Sequence, residues 1–367
     1  MSGKENKYRF LFAGGGTGGH LFPAVAVADK IKSIIPEAEI LFVGTKSKIE
    51  GKVVPELGYK FSSIWIKGFA RKFNAENLLF PVKLIVSIIQ SIIINMKFQP
   101  KVAIGTGGYV SGPAIFGASV MGAKIILLEQ NSYPGVTTRL LEKYADEIHV
   151  SFEDSKKYFR YGEKLFLTGN PVRENLKRLP REEALNYFSL NASKKTLFVV
   201  GGSLGAKAIN EAMASAIKDF EKSGIQVIWQ TGKNGYEEFK GFQSENIKVL
   251  SFIDKMNIAY SACDLLLARA GGITIAELLT LAIPCILVPS PNVAENHQYY
   301  NAKSLLDNGA AVLIDEKNLE EAMPGKVISL LNDEKKLSTL SDNALKLAKP
   351  DAAKFIAQSA IKYAETI

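Results

Sequence analysis

The sequence predicts an α/β protein made of two Rossmann-like domains that face each other across a cleft. Three observations predict it. Short β-branched or apolar runs alternate with longer helical patterns along the whole chain, which is how parallel sheets covered by helices on both faces are written. The length, 367 residues, is two to three times that of a usual domain. A weak internal repeat opens each half with a strand, a glycine loop and a helix, at residues 10–31 and again at 197–217.

The strands are expected at 8–13, 39–43, 102–105 and 124–128 in the first half, and at 196–200, 226–230, 265–268 and 285–288 in the second. The hinge falls at 168–173, where Gly169 frees the backbone and Pro171 biases Asn170 away from helix. That gives domains of 1–170 and 171–350, with a final amphipathic helix over about 351–367 that can pack back on the first. Hydrophobic residues make up 47% of the chain and charged ones 22%, an ordinary globular balance far from the signature of disorder. The net charge of +8 favours polyanionic partners: phosphates, anionic lipid or nucleic acid. Nucleic acid is set aside, because the basic residues belong to no recognised module or stacking motif. Two cysteines, Cys263 and Cys285, make no disulfide framework and point to a reducing compartment. The N-terminus lacks a signal-peptide pattern. The longest dense apolar stretch, 84–94, is broken by Ser87, Gln90 and Ser91 and is shorter than the roughly 20 residues a spanning helix needs.

The run Gly14-Gly15-Gly16-Thr17-Gly18-Gly19 follows a strand and precedes a helix, so its amides can approach an oxyanion at a positive helix end. It also satisfies G-x-G-x-x-G, but the second strand ends in Gly44, Thr45 and Lys46 without the ribose-binding acid of a dinucleotide enzyme. Gly105-Thr106-Gly107-Gly108-Tyr109 follows another strand of the same half, and the loop 201–205 opens the second half. Three glycine loops at strand ends point to a diphosphate-bearing substrate in each domain.

His20 abuts the first loop at the start of a helix, one of three histidines with His149 and His297. A helix N-terminus favours the neutral imidazole, which can take a proton from an attacking hydroxyl; holding a loop carbonyl or a phosphate is the alternative. No spacing of Cys, His or acids calls for a metal. In the second half Arg269-Ala270-Gly271-Gly272 opens a helix on which Glu277 can accept hydrogen bonds from a ribose diol. The stretch 295–301 carries amides and an imidazole suited to a sugar.

These residues resemble the MurG family of N-acetylglucosaminyltransferases, which convert lipid I to lipid II in bacterial peptidoglycan synthesis. Residues 15–20, 105–114, 129–131, 169–173, 201–206 and 269–277 occur in the family's order and spacing over almost the whole chain. The resemblance implies a GT-B fold and a metal-independent, inverting transferase that needs no cofactor and uses UDP-N-acetylglucosamine as donor. By analogy Arg173 and Ser203 lie near the donor diphosphate, the Ile253 backbone meets uracil, and Gly272, Ile273, Thr274, Ile275, Ala276 and Glu277 serve phosphate and ribose. His297 and Gln298 would meet the sugar, and Thr17, Gly18, Gly19 and Asn131 would reach it from across the cleft. Gly14, Gly15, Gly16, Gly105, Thr106, Gly107, Gly108 and Tyr109 would hold the acceptor's diphosphate, with His20 as base for the muramyl 4-hydroxyl. Two departures stand out: the family often has two glutamines where this chain has His297-Gln298, and alanine where it has Gly14. A related transferase for another lipid acceptor, or a non-catalytic nucleotide-sugar sensor, are the alternatives.

A lipid-borne acceptor requires contact with the cytoplasmic face of the cell membrane. Residues 60–101 carry a net charge of +6, most of the chain's excess. Within them, 78–96 reads as a helix with a polar stripe at Lys83, Ser87, Ser91 and Asn95 and aliphatic residues elsewhere. Docking on anionic lipid by Phe69, Arg71, Lys72, Phe73, Leu79 and Phe80 is the expectation.

Overall fold

Residues 8–68, 78–173 and 176–366 are described in a computed structural model, and their backbone follows the alternation of strand and helix. Phe69, Arg71, Lys72 and Phe73 lie outside the described residues. The chain divides into two units, Met1–Glu174 with Lys349–Ile367, and Asn175–Ala348.

The first unit runs β1 (Arg9–Gly14), α1 (Gly18–Ile34), β2 (Glu39–Gly44), α2 (Ile49–Glu56), β3 (Lys60–Ser63), α3 (Phe80–Phe98), β4 (Val102–Gly107), α4 (Ser111–Val120), β5 (Lys124–Glu129), α5 (Val136–Leu141), β6 (Glu147–Val150) and β7 (Leu165–Leu167). Its seven strands are all parallel, in the order β3-β2-β1-β4-β5-β6-β7. The central strands are apolar throughout because both faces are covered. In β1, Phe10 and Phe12 pack with α1 on one face, while Leu11 and Ala13 pack with Ala114 and Ile115 of α4 on the other.

The second unit runs α6 (Arg181–Tyr187), β8 (Thr196–Val200), α7 (Lys207–Lys222), β9 (Gln226–Gln230), α8 (Tyr236–Phe239), β10 (Ile247–Leu250), α9 (Met256–Ala262), β11 (Leu265–Ala268), α10 (Gly272–Thr280), β12 (Cys285–Leu287), α11 (His297–Asp307), β13 (Val312–Leu313), α12 (Leu319–Leu331) and α13 (Glu334–Leu347). Its six parallel strands take the order β10-β9-β8-β11-β12-β13. The last helix, α14 (Ala352–Thr366), belongs to the first unit, where Ile356, Ala357, Ala360 and Ala364 join the core over α1.

Helix α3 inverts the usual rule. Its buried residues are Ser87, Ser91 and Asn95, whereas Val82, Ile85, Ile89, Ile93 and Met96 are exposed. The small polar stripe lets α3 approach α4 closely: a Cβ on Gly117 would fall 3.0 Å from Ser91 Cβ. Hydroxyls and amide satisfy themselves along the helix, Ser91 Oγ on the Ser87 carbonyl (2.7 Å) and Asn95 Nδ2 on the Ser91 carbonyl (2.8 Å). By length and composition α3 also suffices to cross a membrane. Its place as the crossover between β3 and β4, with Leu84, Ile94 and Phe98 against the core, ties it instead to the domain surface.

Candidate active site

In open parallel sheets ligands bind beyond the carboxyl ends of the strands, where the strand order reverses. In the first unit that point lies between β1 and β4, in the second between β8 and β11. All three glycine loops found in the sequence, and the segment 269–272, leave strands at these two points.

At the β1/β4 point the loops touch. Gly108 has φ +78°, and a Cβ there would stand 2.7 Å from the Gly15 carbonyl oxygen. His20, in the first turn of α1, lies between them. Its Nδ1 is 2.9 Å from the Thr106 carbonyl and 3.2 Å from Gln130 Oε1. Gln130 Nε2 donates to the Leu128 carbonyl (3.2 Å), which turns its oxygen toward the ring. Both neighbours of Nδ1 are therefore acceptors, so Nδ1 carries the proton and Nε2 the lone pair of the neutral ring. Thr106, fully buried, completes the clasp through its hydroxyl, which donates to the His20 carbonyl (2.7 Å).

Beneath the first loop lies a carboxylate that no motif announced. Glu50 on α2 is 1% exposed and accepts from Gly16 N–H (2.9 Å), Thr45 N–H (3.0 Å) and Thr45 Oγ1 (2.7 Å). Three donors are what a buried carboxylate needs. The acid missing at the end of β2 thus arrives six residues later, and it binds the protein's own loop. Tyr109 joins the same cluster, its hydroxyl 3.5 Å from Thr45 Oγ1 and its ring against Gly16.

Several groups of the two loops expected at the acceptor's diphosphate already have partners within the protein. The Gly16 amide is taken by Glu50, the Gly107 amide by Ser111 Oγ (3.1 Å), and the Thr106 hydroxyl and carbonyl by His20. Gly14 and Gly105 are strand residues, Gly14 in register with Gly107. Thr17, Gly18 and Gly19 stand at the α1 N-terminus, where the Thr17 side chain makes no capping hydrogen bond. Asn131 follows β5 in a turn built on Glu129, whose carboxylate accepts the Asn131 and Gly135 amides (both 3.0 Å). Burial pushes the Glu129 pKa up despite those bonds. Arg173, expected to open the second domain, groups with the first unit, its guanidinium 5.9 Å from the Phe22 ring of α1. Leu79 is half exposed and Phe80 less so, at the start of α3.

At the β8/β11 point the loop 201–205 folds on itself and on the end of β9. Gly205 N–H donates to the Gly202 carbonyl (3.0 Å) and Lys233 N–H to the Ser203 carbonyl (3.3 Å). Gln230 reaches from β9 to both sides, donating to the Gly202 carbonyl (3.2 Å) and accepting from Ile253 N–H (2.8 Å). The Ile253 amide is thereby engaged. Gly272, Ile273, Thr274, Ala276 and Glu277 form the first turns of α10, while Ile275 is 1% exposed and belongs to the core. Glu277 is buried and oriented by the Tyr260 hydroxyl, which donates to its Oε2 (2.8 Å). Before α11, Glu295 and Asn296 both hold positive φ (52° and 53°), a strained pair for non-glycine residues and of the type that gathers at functional sites. They set His297 and Gln298 on the helix start, with His297 Nδ1 at 2.8 Å from the Ala294 carbonyl and Gln298 Oε1 accepting from Ser290 N–H (2.9 Å). Buried Asn301 fixes the loop before α10 through the Ala270 carbonyl (3.1 Å). Among the described residues no group of three or more His, Cys, Asp or Glu is placed to hold a metal.

Against known proteins, residues 10–150 match the glycosyltransferase family 28 N-terminal domain and residues 196–356 the glycosyltransferase family 28 C-terminal domain. A Flavobacterium psychrophilum protein named UDP-N-acetylglucosamine--N-acetylmuramyl-(pentapeptide) pyrophosphoryl-undecaprenol N-acetylglucosamine transferase is 43% identical, over 98% of this chain and 99% of its own. A Christiangramia forsetii protein of the same name is 44% identical over 94% of each. The crystal structure of Acinetobacter baumannii MurG superposes with a TM-score of 0.78 at 26% identity, covering 96% of this chain and 99% of that one.

Proposed function

The chain belongs to glycosyltransferase family 28 in both its halves, and from that premise we propose that it transfers N-acetylglucosamine from UDP-N-acetylglucosamine to the muramyl 4-hydroxyl of lipid I, giving lipid II and UDP. The full-length similarity to transferases of that name supports the substrate pair. The observation that carries the chemistry is the His20 ring, tethered at Nδ1 so that Nε2 is its basic atom.

In this reading the acceptor hydroxyl attacks the anomeric carbon opposite the UDP while His20 Nε2 takes its proton. The bond from the anomeric carbon to the diphosphate oxygen breaks as the new glycosidic bond forms, and an α-linked donor gives a β-linked product. Negative charge builds on the departing diphosphate. Arg173, the Ser203 hydroxyl and the N-termini of α7 and α10 are its counterparts, so the step is metal-independent. The acceptor's diphosphate is assigned to Gly108, Tyr109 and the N-terminus of α1, since Gly16 and Gly107 are spoken for within the protein. Glu277 takes the ribose diol, and His297 with Gln298 takes the sugar.

The acceptor's lipid is met by the apolar outer face of α3, with Lys83, Lys97 and Lys101 attracted to anionic headgroups at the cytoplasmic face of the membrane. Flotation with anionic vesicles should recover the wild-type protein, and Ile89→Asp should release it; equal recovery of both would remove α3 from the contact. The reaction itself is tested by UDP release from UDP-N-acetylglucosamine. Release that requires a polyprenyl-diphosphate muramyl acceptor and persists in a chelator is expected; donor binding without turnover would identify a sensor.

A further inference from the structure

Beside the first glycine loop, wholly within the first unit, a cavity of about 270 Å³ is lined by Thr45, Lys46, Ser47, Ser63, Trp65 and Gln90, with Ile64 and Ile66 in its wall. The size falls just below the range of about 300–1,000 Å³ for ligand pockets, room for part of a larger substrate. Its walls are the segments leaving β2 and β3, on the sheet edge that also carries the glycine loops. One residue joins the two places. Thr45 lines the cavity, donates to the Glu50 carboxylate that holds Gly16, and lies 3.5 Å from the Tyr109 hydroxyl. A substrate seated at Gly108 and Tyr109 therefore borders this cavity.

The lining has a definite chemistry. Ser47, Ser63 and Gln90 offer hydroxyls and an amide, and Lys46 an exposed ammonium. Ile64 and Ile66, which also line the cavity, are mostly covered by the core, so the larger apolar surface presented is the half-exposed indole of Trp65. Lys83 Nζ sits 5.6 Å from the centre of that ring, a second cation beside Trp65. The segment is held in place by Gln90 Oε1, which accepts from Trp65 N–H (2.7 Å). Two cations, several hydrogen-bonding groups and one flat apolar face do not suit an isoprenoid chain. They suit a short acidic peptide with small aliphatic side chains.

We propose that this cavity is the subsite for the acceptor's stem peptide, with its carboxylates toward Lys46 and Lys83, main-chain groups on Ser47, Ser63 and Gln90, and methyl groups on Trp65. The assignment rests on the acceptor reading above. Trp65 supplies its own probe, because the chain's other tryptophan, Trp229, is fully buried. Titration of the full-length protein with a soluble N-acetylmuramyl-pentapeptide, free of diphosphate and lipid, should give a saturable change in tryptophan emission that is absent in Trp65→Phe. Lys46→Glu should weaken that binding about tenfold, and in turnover should raise the KM of the peptide-bearing acceptor about tenfold relative to that of a peptide-free one. Absence of an emission change, a change with a short polyprenyl phosphate instead, or equal effects on both acceptors would overturn the subsite. Peptide binding without acceptor-dependent UDP release would uphold it and overturn the transferase reading.

Discussion

At the β1/β4 switch point a glycine loop is propped from beneath by the buried Glu50 carboxylate and faces an imidazole fixed by a carbonyl and an amide oxygen. At the β8/β11 switch point the loop leans on the end of β9, through the Gln230 side-chain amide and through main chain, where a Cβ on Gly205 would stand 2.0 Å from the Thr231 carbonyl, and the nearby carboxylate, Glu277, stands on a helix and accepts from a tyrosine. The topology is the same in both units, and the side chains divide the labour. A titratable ring with one nitrogen committed can move a proton. A loop closed on the end of a strand with an oriented carboxylate beside it is suited to hydrogen-bonding the hydroxyls of a nucleotide. Fold similarity alone therefore locates both sites but does not say which of them does chemistry.

The sharpest way to break this division is at His20. His20→Ala should lower kcat by about 10²- to 10⁴-fold, the usual contribution of a general base, and leave the donor's dissociation constant unchanged. Turnover at the wild-type rate would return the ring to a purely structural role. On the other side, Glu277→Ala should raise the donor KM by roughly ten- to a hundredfold with a smaller effect on kcat, because it deletes hydrogen bonds to a charged group. Tyr260→Phe, which removes only the hydroxyl that orients Glu277, should move the same parameter by a few-fold. If Glu277→Ala instead lowered kcat as His20→Ala does, both units would share the chemistry.

Glu50 tests whether the prop matters to the substrate or only to the fold. Glu50→Gln keeps the volume but sets an NH2 against one of the three donors now facing the carboxylate. A buried donor left unsatisfied costs about 1–3 kcal/mol, so the thermal midpoint should fall. The discriminating measurement is kinetic: kcat/KM for the acceptor should drop about tenfold while the donor KM stays put. Equal losses for both substrates would make Glu50 a matter of stability alone.

The eight strands legible in the sequence are the inner strands of the two sheets, where both faces are apolar. Those that escaped, β3, β6, β7, β10 and β13, lie toward the outside of each sheet. Lys60–Ser63 and Leu165–Leu167 are largely open to solvent, Ile247–Leu250 is buried only at alternate residues, Glu147–Val150 opens on an acid and contains His149, and Val312–Leu313 is two residues long. Half-covered strands do not write a continuous apolar run. The site divides in the same manner. Glycine loops and His20 announce themselves locally, since they must sit between a strand and a helix. Glu50 lies in a lysine-rich stretch, Lys46-Ser47-Lys48-Ile49-Glu50, and only the packing of α2 beside β2 brings it under the loop after β1 as the ligand of Gly16. Gln130 likewise reads as a polar residue after a strand until its oxygen is seen on the His20 ring.

The smallest expected effect separates the units by acid stability. Burial alone would raise the Glu147 pKa, but the hydrogen bond and charge of His149 and the hydrogen bonds of Ser359 and Tyr363 outweigh it and hold the carboxyl below its usual value. Ser359 and Tyr363 belong to α14, so this carboxylate ties the last helix to β6. A carboxyl with a depressed folded-state pKa contributes stability that is present above its unfolded value near 4.5 and is lost as pH falls through the folded value. The site is partly open to water, which screens the effect and keeps it small. Glu147→Gln should therefore destabilise the first unit at neutral pH, and the gap between the thermal midpoints of the two proteins should narrow as the carboxyl of the folded wild type is protonated on acidification below 4.5. A gap that stays constant across the whole acid titration would mean that α14 is held by its apolar face on α1, with no contribution from the charge.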